Sequence, residues 1–418
     1  MSAVQALRDL TVVQKKTFVA SFLGWTLDAF DFFIVVVTVP HIAHDFHVKP
    51  PTIFLAVTLT LAMRPLGALI FGWIADRIGR RIPLMIDIGL YSTLELATAF
   101  SPNLTVFLIL RAFFGVAMGG EWGIGAALAM ETLPAKSRGL FSGILQEGYA
   151  VGYLLAGIVL AVLYVHIGWR GMFVIGALPA LLILFIRSHV PESPAWLASR
   201  AAGVAAVRDP LFAALRRSWP LFLYAIPFMA AFNFMSHGTQ DTYTTFLTAQ
   251  HGFGPGLAGT LTSVAAIGAI TGGIFFGWLS QRFGRRNTIM VCAVLGALAI
   301  PLWAFSQTIA LIALGGFLMQ VMVQGAWGII PAHLNEISPP TARGTFPGLT
   351  YQLGNLIAAG AGQIISALAQ NSPLPSGHPD YSKAMSLVMV GVFAAVIIMT
   401  ALGYFVVPEH RDAELVAE

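Results

Sequence analysis

The chain has 418 residues, of which 57% are hydrophobic and 10% charged; a soluble domain carries about 25% charged residues, so a water-soluble enzyme is excluded. The formal net charge of +4 is scattered over short loops between apolar runs and does not mark a nucleic-acid surface. The one cysteine, Cys292, lies in an apolar run, so there is no disulfide framework.

Apolar runs of about 20 residues recur along the whole length, while the short alternating segments of a membrane β-barrel do not appear. The fold expected is an all-α integral membrane protein with twelve spans, near 18–40, 53–75, 82–101, 104–128, 138–164, 168–188, 219–247, 257–280, 287–306, 309–331, 343–369 and 384–406. Residues 1–17 read as a polar N-terminal segment without a removable signal peptide. Placing that segment in the cytoplasm puts eighteen Lys and Arg residues on the inner side, Arg208 and Arg411 among them. Lys49, Arg170 and Lys383 then lie outside, and Arg64 and Arg111 within spans. The positive-inside rule sets this orientation, with both termini cytoplasmic in the inner membrane.

The first span carries Asp28 and Asp31, three apart and so on one helix face; they are candidates for carrying a proton or for pairing with an Arg. The loop after the second span reads Gly72-x-x-x-Asp76-Arg77-x-Gly79-Arg80-Arg81. One Asp among several Arg in such a loop can make ion pairs that open and close with an inner gate, so Asp76, Arg77 and Arg80 are gating candidates. In the fourth span Arg111 cannot be deprotonated or buried alone. Its fork suits a substrate carboxylate, or else an internal pair with Glu95, Asp28 or Asp31. Glu121 and Glu147 also lie within spans and rank below these. At the inner ends of the fourth and tenth spans, Glu131 with Arg138 and Glu336 with Arg343 sit seven apart across a Pro turn. They read as gate elements that pair or cap helix ends.

A repeat runs at an offset of 205 residues. Phe71-Gly72-Trp73 matches Phe276-Gly277-Trp278, Arg77-x-Gly79-Arg80-Arg81 matches Arg282-x-Gly284-Arg285-Arg286, and Glu131, Pro134 and Arg138-Gly139 match Glu336, Pro339 and Arg343-Gly344. Gln281 replaces Asp76, which leaves an acidic latch in one half alone. The chain divides into an N-terminal half (18–190), a short cytoplasmic linker (191–218), a C-terminal half (219–407) and a cytoplasmic C-terminus (408–418). Two six-helix parallel repeats are the plan of a secondary transporter with its site between the halves. No nucleotide-binding fingerprint or metal-ligand cluster is evident, so an ion gradient is the expected energy source, with no cofactor.

The seventh span breaks the apolar pattern. On an ideal helix Asn233, His237, Gln240, Asp241 and Thr244 fall within about 100° of one another over roughly 18 Å. Such a stripe at membrane depth faces a pathway or cavity. His237 and Asp241, four apart, can share a proton in the physiological range. In the eleventh span Gln352 and Asn355 can add hydrogen bonds from the same half, or glue helices together.

The Asp-Arg-x-Gly-Arg-Arg loop and Pro191-Glu192-Ser193-Pro194 resemble signatures of the major facilitator superfamily. Asn233-x-x-Ser236-His237-x-Thr239-Gln240-Asp241-x-x-x-Thr245 resembles the seventh-span signature of the fungal lactate/pyruvate:proton permeases, in the sialate:proton symporter group, with this chain similar to a compact bacterial version. The resemblance implies that Asn233, His237 and Asp241 serve monocarboxylate recognition and proton coupling, and that Gln352 and Asn355 help bind substrate. It implies rocking of two halves in a monomer whose partners are a small organic anion, protons and the lipid bilayer. A sialate, a dicarboxylate or an aromatic acid is the alternative cargo, and a non-transporting carboxylate sensor the alternative class.

Overall fold

The computed structural model describes residues 5, 8–48, 50–201, 210–375, 377, 379–410 and 415. Lys49, Arg208, Arg411 and residues 202–209 of the central linker lie outside them, with most of the first seven and last eight residues. Among the described residues the regular structure is helical, apart from one isolated bridge between Pro373 and Pro379.

The N-terminal half comprises α1 (Val12–Asp45), α2 (Pro50–Ile78), α3 (Arg81–Ala99), α4 (Leu104–Thr132), α5 (Arg138–Gln146), α6 (Gly148–Ile175) and α7 (Ala180–His189). A short α8 (Pro194–Ala201) follows. The C-terminal half comprises α9 (Pro210–Gln240), α10 (Pro255–Phe283), α11 (Arg285–Phe305), α12 (Ile309–Trp327), α13 (Ile330–Ile337), α14 (Phe346–Ala358), α15 (Ala361–Gln370) and α16 (Tyr381–Val406). The starts follow local chemistry. Thr11 and Gln14 exchange side chain-to-backbone bonds in a capping box, and Asn103 and Thr308 cap α4 and α12. The sharp turns after the second and eighth spans need a left-handed residue, which Gly79 (φ 102°) and Gly284 (φ 93°) supply.

Among the described residues, eleven helical stretches are long and apolar enough to cross a membrane. The eleventh expected span, 343–369, is instead two pieces, α14 and α15, separated at Ala359–Gly360, where Gly360 is a weak helix former. The fifth span also bends, at Glu147 between α5 and α6. Leu181, Leu184, Leu298 and Val390 are exposed on outward faces, as a lipid-facing surface requires.

The halves repeat one packing scheme. α2 packs on α4 as α10 packs on α12, and α3 on α4 as α11 on α12. Between halves, α5 packs on α10 and α14 on α2, again as repeat mates. These crossings are close because glycines meet there: a Cβ on Gly143 would collide with the Gly273 carbonyl, and one on Gly123 with the backbone of Gly348.

Candidate functional site

The Arg-rich ends of the two halves are sealed against each other. Asp76 accepts from Gly344 N (2.7 Å), Thr345 N (3.1 Å) and Thr345 Oγ1 (2.7 Å), all across the half-to-half contact and all at the start of α14. Its repeat mate Gln281 accepts from Gly139 N at 3.3 Å, near the start of α5. Gly139 and Gly344 are themselves repeat mates, so the two latches are related by the internal symmetry.

The gate pairs differ from the expected ones. Glu131 pairs with Arg80 (3.0 and 3.3 Å), and Glu336 with Arg285 (2.7 and 3.0 Å). The residues seven positions away do not take this role: Arg138 donates from Nε to Met130 O (3.0 Å), and Arg343 donates to Leu415 O. A Pro turn redirects the chain between each Glu and the nearby Arg, while the helix-end Arg80 and Arg285 reach the carboxylates bidentately. Arg80 also pairs with Asp76 (3.1 Å), whereas Arg77 stacks on Trp73 with its guanidinium 4.0 Å from the ring. The linker is part of this assembly. Ser193 donates to Glu131, Glu192 accepts from the backbone of Arg80 and Arg81, and Trp196 Nε1 donates to Asp76 O. In the other half Glu409 accepts from Arg285 N, in the manner of Glu192.

Above this seal, at mid-span, the seventh-span stripe is only partly preserved. α9 stops at Gln240, and after a turn at Asp241–Thr242 the chain continues through one helical turn and a wide π turn, Phe246–Gln250. Thr239 weakens the helix just before the break: its Oγ1 donates to Met235 O (2.9 Å) and accepts from Gln320 Nε2 (3.1 Å). Asn233 is buried, donating to Met229 O (2.8 Å) and Tyr351 O (3.5 Å) within the α9–α14 contact. Gln240 donates to Gln320 on α12 (3.0 Å). His237 and Asp241 remain solvent-accessible, with side chains 29% and 44% exposed. The imidazole Nδ1 lies 3.2 Å from Asp241 Oδ2, and Nε2 3.0 Å from Asn355 Oδ1. With the amide in this orientation both nitrogens face oxygen acceptors, a pairing that the doubly protonated ring satisfies completely. Gln352, buried beside them on α14, has neither amide atom bonded to protein.

The cation opposite His237 is Arg64, not Arg111. Arg64 sits before Pro65 in α2, bonds Asp28 Oδ2 at 3.4 Å, and is an electrostatic neighbour of His237, Tyr149 and Tyr351. Tyr149 in turn has Asp28 and Asp241 as electrostatic neighbours, so groups from both halves converge here. Beneath them Trp122 and Trp327, repeat mates, both pack on Tyr351 with ring centroids 4.6 and 5.6 Å away. Arg111 lies elsewhere, fully buried, 2.6 Å from Glu95 and with its guanidinium 3.7 Å from the Phe114 ring centre. Of the alternatives for Arg111, the structure realises the internal pair with Glu95. Asp31 lies beside that pair with neither oxygen bonded. The sequence signal for Arg64 was its place among the two Arg within spans; nothing local told which one faces the centre.

Among the described residues of the N-terminal half, five fully buried acids, Asp28, Asp31, Asp87, Glu95 and Glu121, lie at span depth with Arg64 and Arg111. Their repeat mates are Asn233, Ser236, Cys292, Ile300 and Ala326, and those of the two Arg are Ala269 and Gly316. The C-terminal half builds the same helix packing with no charge at any of these positions, so the charges are not required by the fold.

A family model described as Major Facilitator Superfamily matches residues 21–248, more than half of the chain. The chain belongs to the major facilitator superfamily. It is a multi-pass membrane transporter, not an enzyme. The "Sugar (and other) transporter" family model matches residues 212–411. A "Carboxylic acid transporter protein homolog" of Saccharomyces cerevisiae is 30% identical over 99% of this chain and 71% of its own length. "Sialic acid transporter NanX" of Escherichia coli is 28% identical over 94% of each chain. In fold, the chain resembles the superfamily's proton:xylose symporter XylE, with a TM-score of 0.74 and 17% identity over 97% of this chain and 98% of that one.

Proposed function

We propose that this chain is a proton-coupled symporter of short monocarboxylates, lactate or pyruvate, acting as a monomer in the cytoplasmic membrane with both termini inside. The halves, 18–190 and 219–407, rock about the site, and Glu192, Ser193 and Trp196 of the linker ride on the N-terminal gate. The observation that carries this reading is the convergence of Arg64 from one half with the His237–Asp241–Asn355 group from the other.

A small carboxylate between Arg64 and His237 meets a guanidinium and, once a proton has bound, an imidazolium. Proton and anion binding are then linked, each raising affinity for the other by the same factor. Asn355 and Gln352 supply directional hydrogen bonds, with Asn233 and Gln240 holding α9 against its neighbours. Asp28, in contact with Arg64, and Asp31 are the further proton-carrying acids. An unpaired carboxylate at such depth is neutralised rather than left ionised. The carboxylic acid and sialic acid transporters among the relatives support an organic acid as cargo.

Lactate uptake into proteoliposomes tests the reading. Accumulation above equilibrium is expected only with an inward proton gradient, and uptake indifferent to that gradient would sink it. A competition panel of sialate, dicarboxylates and aromatic acids is expected to leave uptake unchanged; displacement of lactate by one of these would move the assignment to that acid. His237→Ala is expected to abolish proton-driven accumulation, lowering it about 10-fold or more, the scale on which a lost charged hydrogen bond acts. Undiminished accumulation by that variant would remove His237 from coupling.

A further inference from the structure

Glu147 stands apart from the acids around Arg64 and Arg111. It ends α5 and opens α6 at the bend of the fifth span. It follows Gly139 and Gly143 at the four-residue spacing that places all three on one helix face. That face is pressed on α10 across the half-to-half contact. The Gly139 and Gly143 positions abut the carbonyls of Gly277 and Gly273, and Glu147 lays Oε1 directly over Gly273. The side chain is 5% exposed, and Oε1 is buried without a hydrogen-bond partner.

Its surroundings carry no countercharge. α10 offers Gly273, with Gly328 at the α12–α13 junction packed on the same carbonyl, and α1 offers Trp25 and Thr26 beside Gly148. No Coulombic partner acts on Glu147 among the described residues. Tyr149, two positions on, is engaged instead with Arg64, Asp28 and Asp241. The repeat mate of Glu147 is Gln352, so the equivalent place in the other half holds the uncharged amide of the same shape. A neutral side chain thus suits the position, and the one atom that separates Glu from Gln adds the ability to ionise.

We propose that Glu147 is a proton-binding residue of the transport cycle: its carboxylate takes one proton from water as α5 closes on α10, and returns it to water when they part. No other bond changes. Ionised, the side chain would be a charge without a countercharge, its Oε1 pressed into a tight contact between glycines; separated from α10, it meets water and ionises freely. Acid therefore favours the state sealed at the Arg-rich ends. The inference rests on the alternating-access reading given above and adds to it a second place where protons meet the cycle, at the contact between halves and not among the substrate groups.

The test measures the seal without substrate. In a Cys292→Ala background, spin labels at the exposed Lys136 and Phe283 report the separation of the two halves at the Arg-rich end in lipid nanodiscs. For the otherwise unchanged protein, the ratio of short to long distances is expected to fall up to about tenfold per pH unit through the ionisation of one group. Glu147→Gln is expected to keep the short distance populated over the whole range, which also certifies its fold. Glu147→Asp is expected to keep a pH response. A Glu147→Gln protein with the parental pH response, or a parental protein with none, would overturn the proposal. Because no lactate is present, these outcomes are separate from the uptake assay, whose failure would strike the symport reading alone.

Discussion

Arg64→Gln is expected to weaken lactate binding at least about 30-fold, since removing the partner of a desolvated charge costs about 2–5 kcal/mol. Arg111→Gln is expected to act through stability instead. It leaves Glu95 buried beside Asp31 with no cation, a change worth about 3–5 kcal/mol when one partner of a buried pair is removed. The two effects separate in two measurements, lactate KM in proteoliposomes and the thermal unfolding midpoint in detergent. Arg64→Gln also strands Asp28, so the double variant Asp28→Asn with Arg64→Gln is included. It is expected to unfold near the parental midpoint and still fail to bind lactate. For Arg111 the matching rescue is Glu95→Gln, expected to restore the midpoint. A raised KM with normal stability in Arg111→Gln, and an unaffected KM in Arg64→Gln, would reverse the assignment and return Arg111 to the substrate.

The twelve apolar runs, the 205-residue repeat and the seventh-span group were legible in the sequence because each is local or depends only on register. Hydropathy shows that Arg64 and Arg111 lie in spans. It does not show how α2 and α4 are rotated about their own axes, and that rotation decides which guanidinium meets His237. The two ends of the stripe depend on the same kind of information. Asn233 faces the centre on an ideal helix, but the α9–α14 contact offers its amide the Tyr351 carbonyl. Beyond Gln240 the helical count no longer applies, because the chain turns at Asp241–Thr242 and widens to a π turn. Glu131 and Arg138 looked like partners by proximity along the chain, yet Arg80 arrives from another helix with better geometry. Asp76 and Gln281 were correctly marked as the difference between the two copies. Their targets across the interface, Gly344 and Gly139, became visible only with both halves in place.

That difference sets the last expectation. Asp76 brings a charge to three donors at the start of α14, where the helix dipole also favours an anion. Gln281 makes a neutral bond across the interface, at 3.3 Å, to the start of α5. Hydrogen bonds to charged groups contribute about 1.5–3 kcal/mol each and neutral ones about 0.5–1.5. Loss of the Asp76 latch in Asp76→Ala should thus cost about 3 kcal/mol or more, shifting the closed-to-open ratio at the Arg-rich end by over about 100-fold. Gln281→Ala should shift it by about 10-fold or less. The Lys136–Phe283 label pair at fixed pH reads both, and equal shifts in the two variants would show that the latches are equivalent despite their chemistry. Gln281→Glu supplies the missing charge. It should give the second latch the same pull on a helix start, deepen the sealed state, and slow lactate turnover by making release of the seal the slow step. Faster turnover in that variant would mean that opening at this end does not limit the cycle.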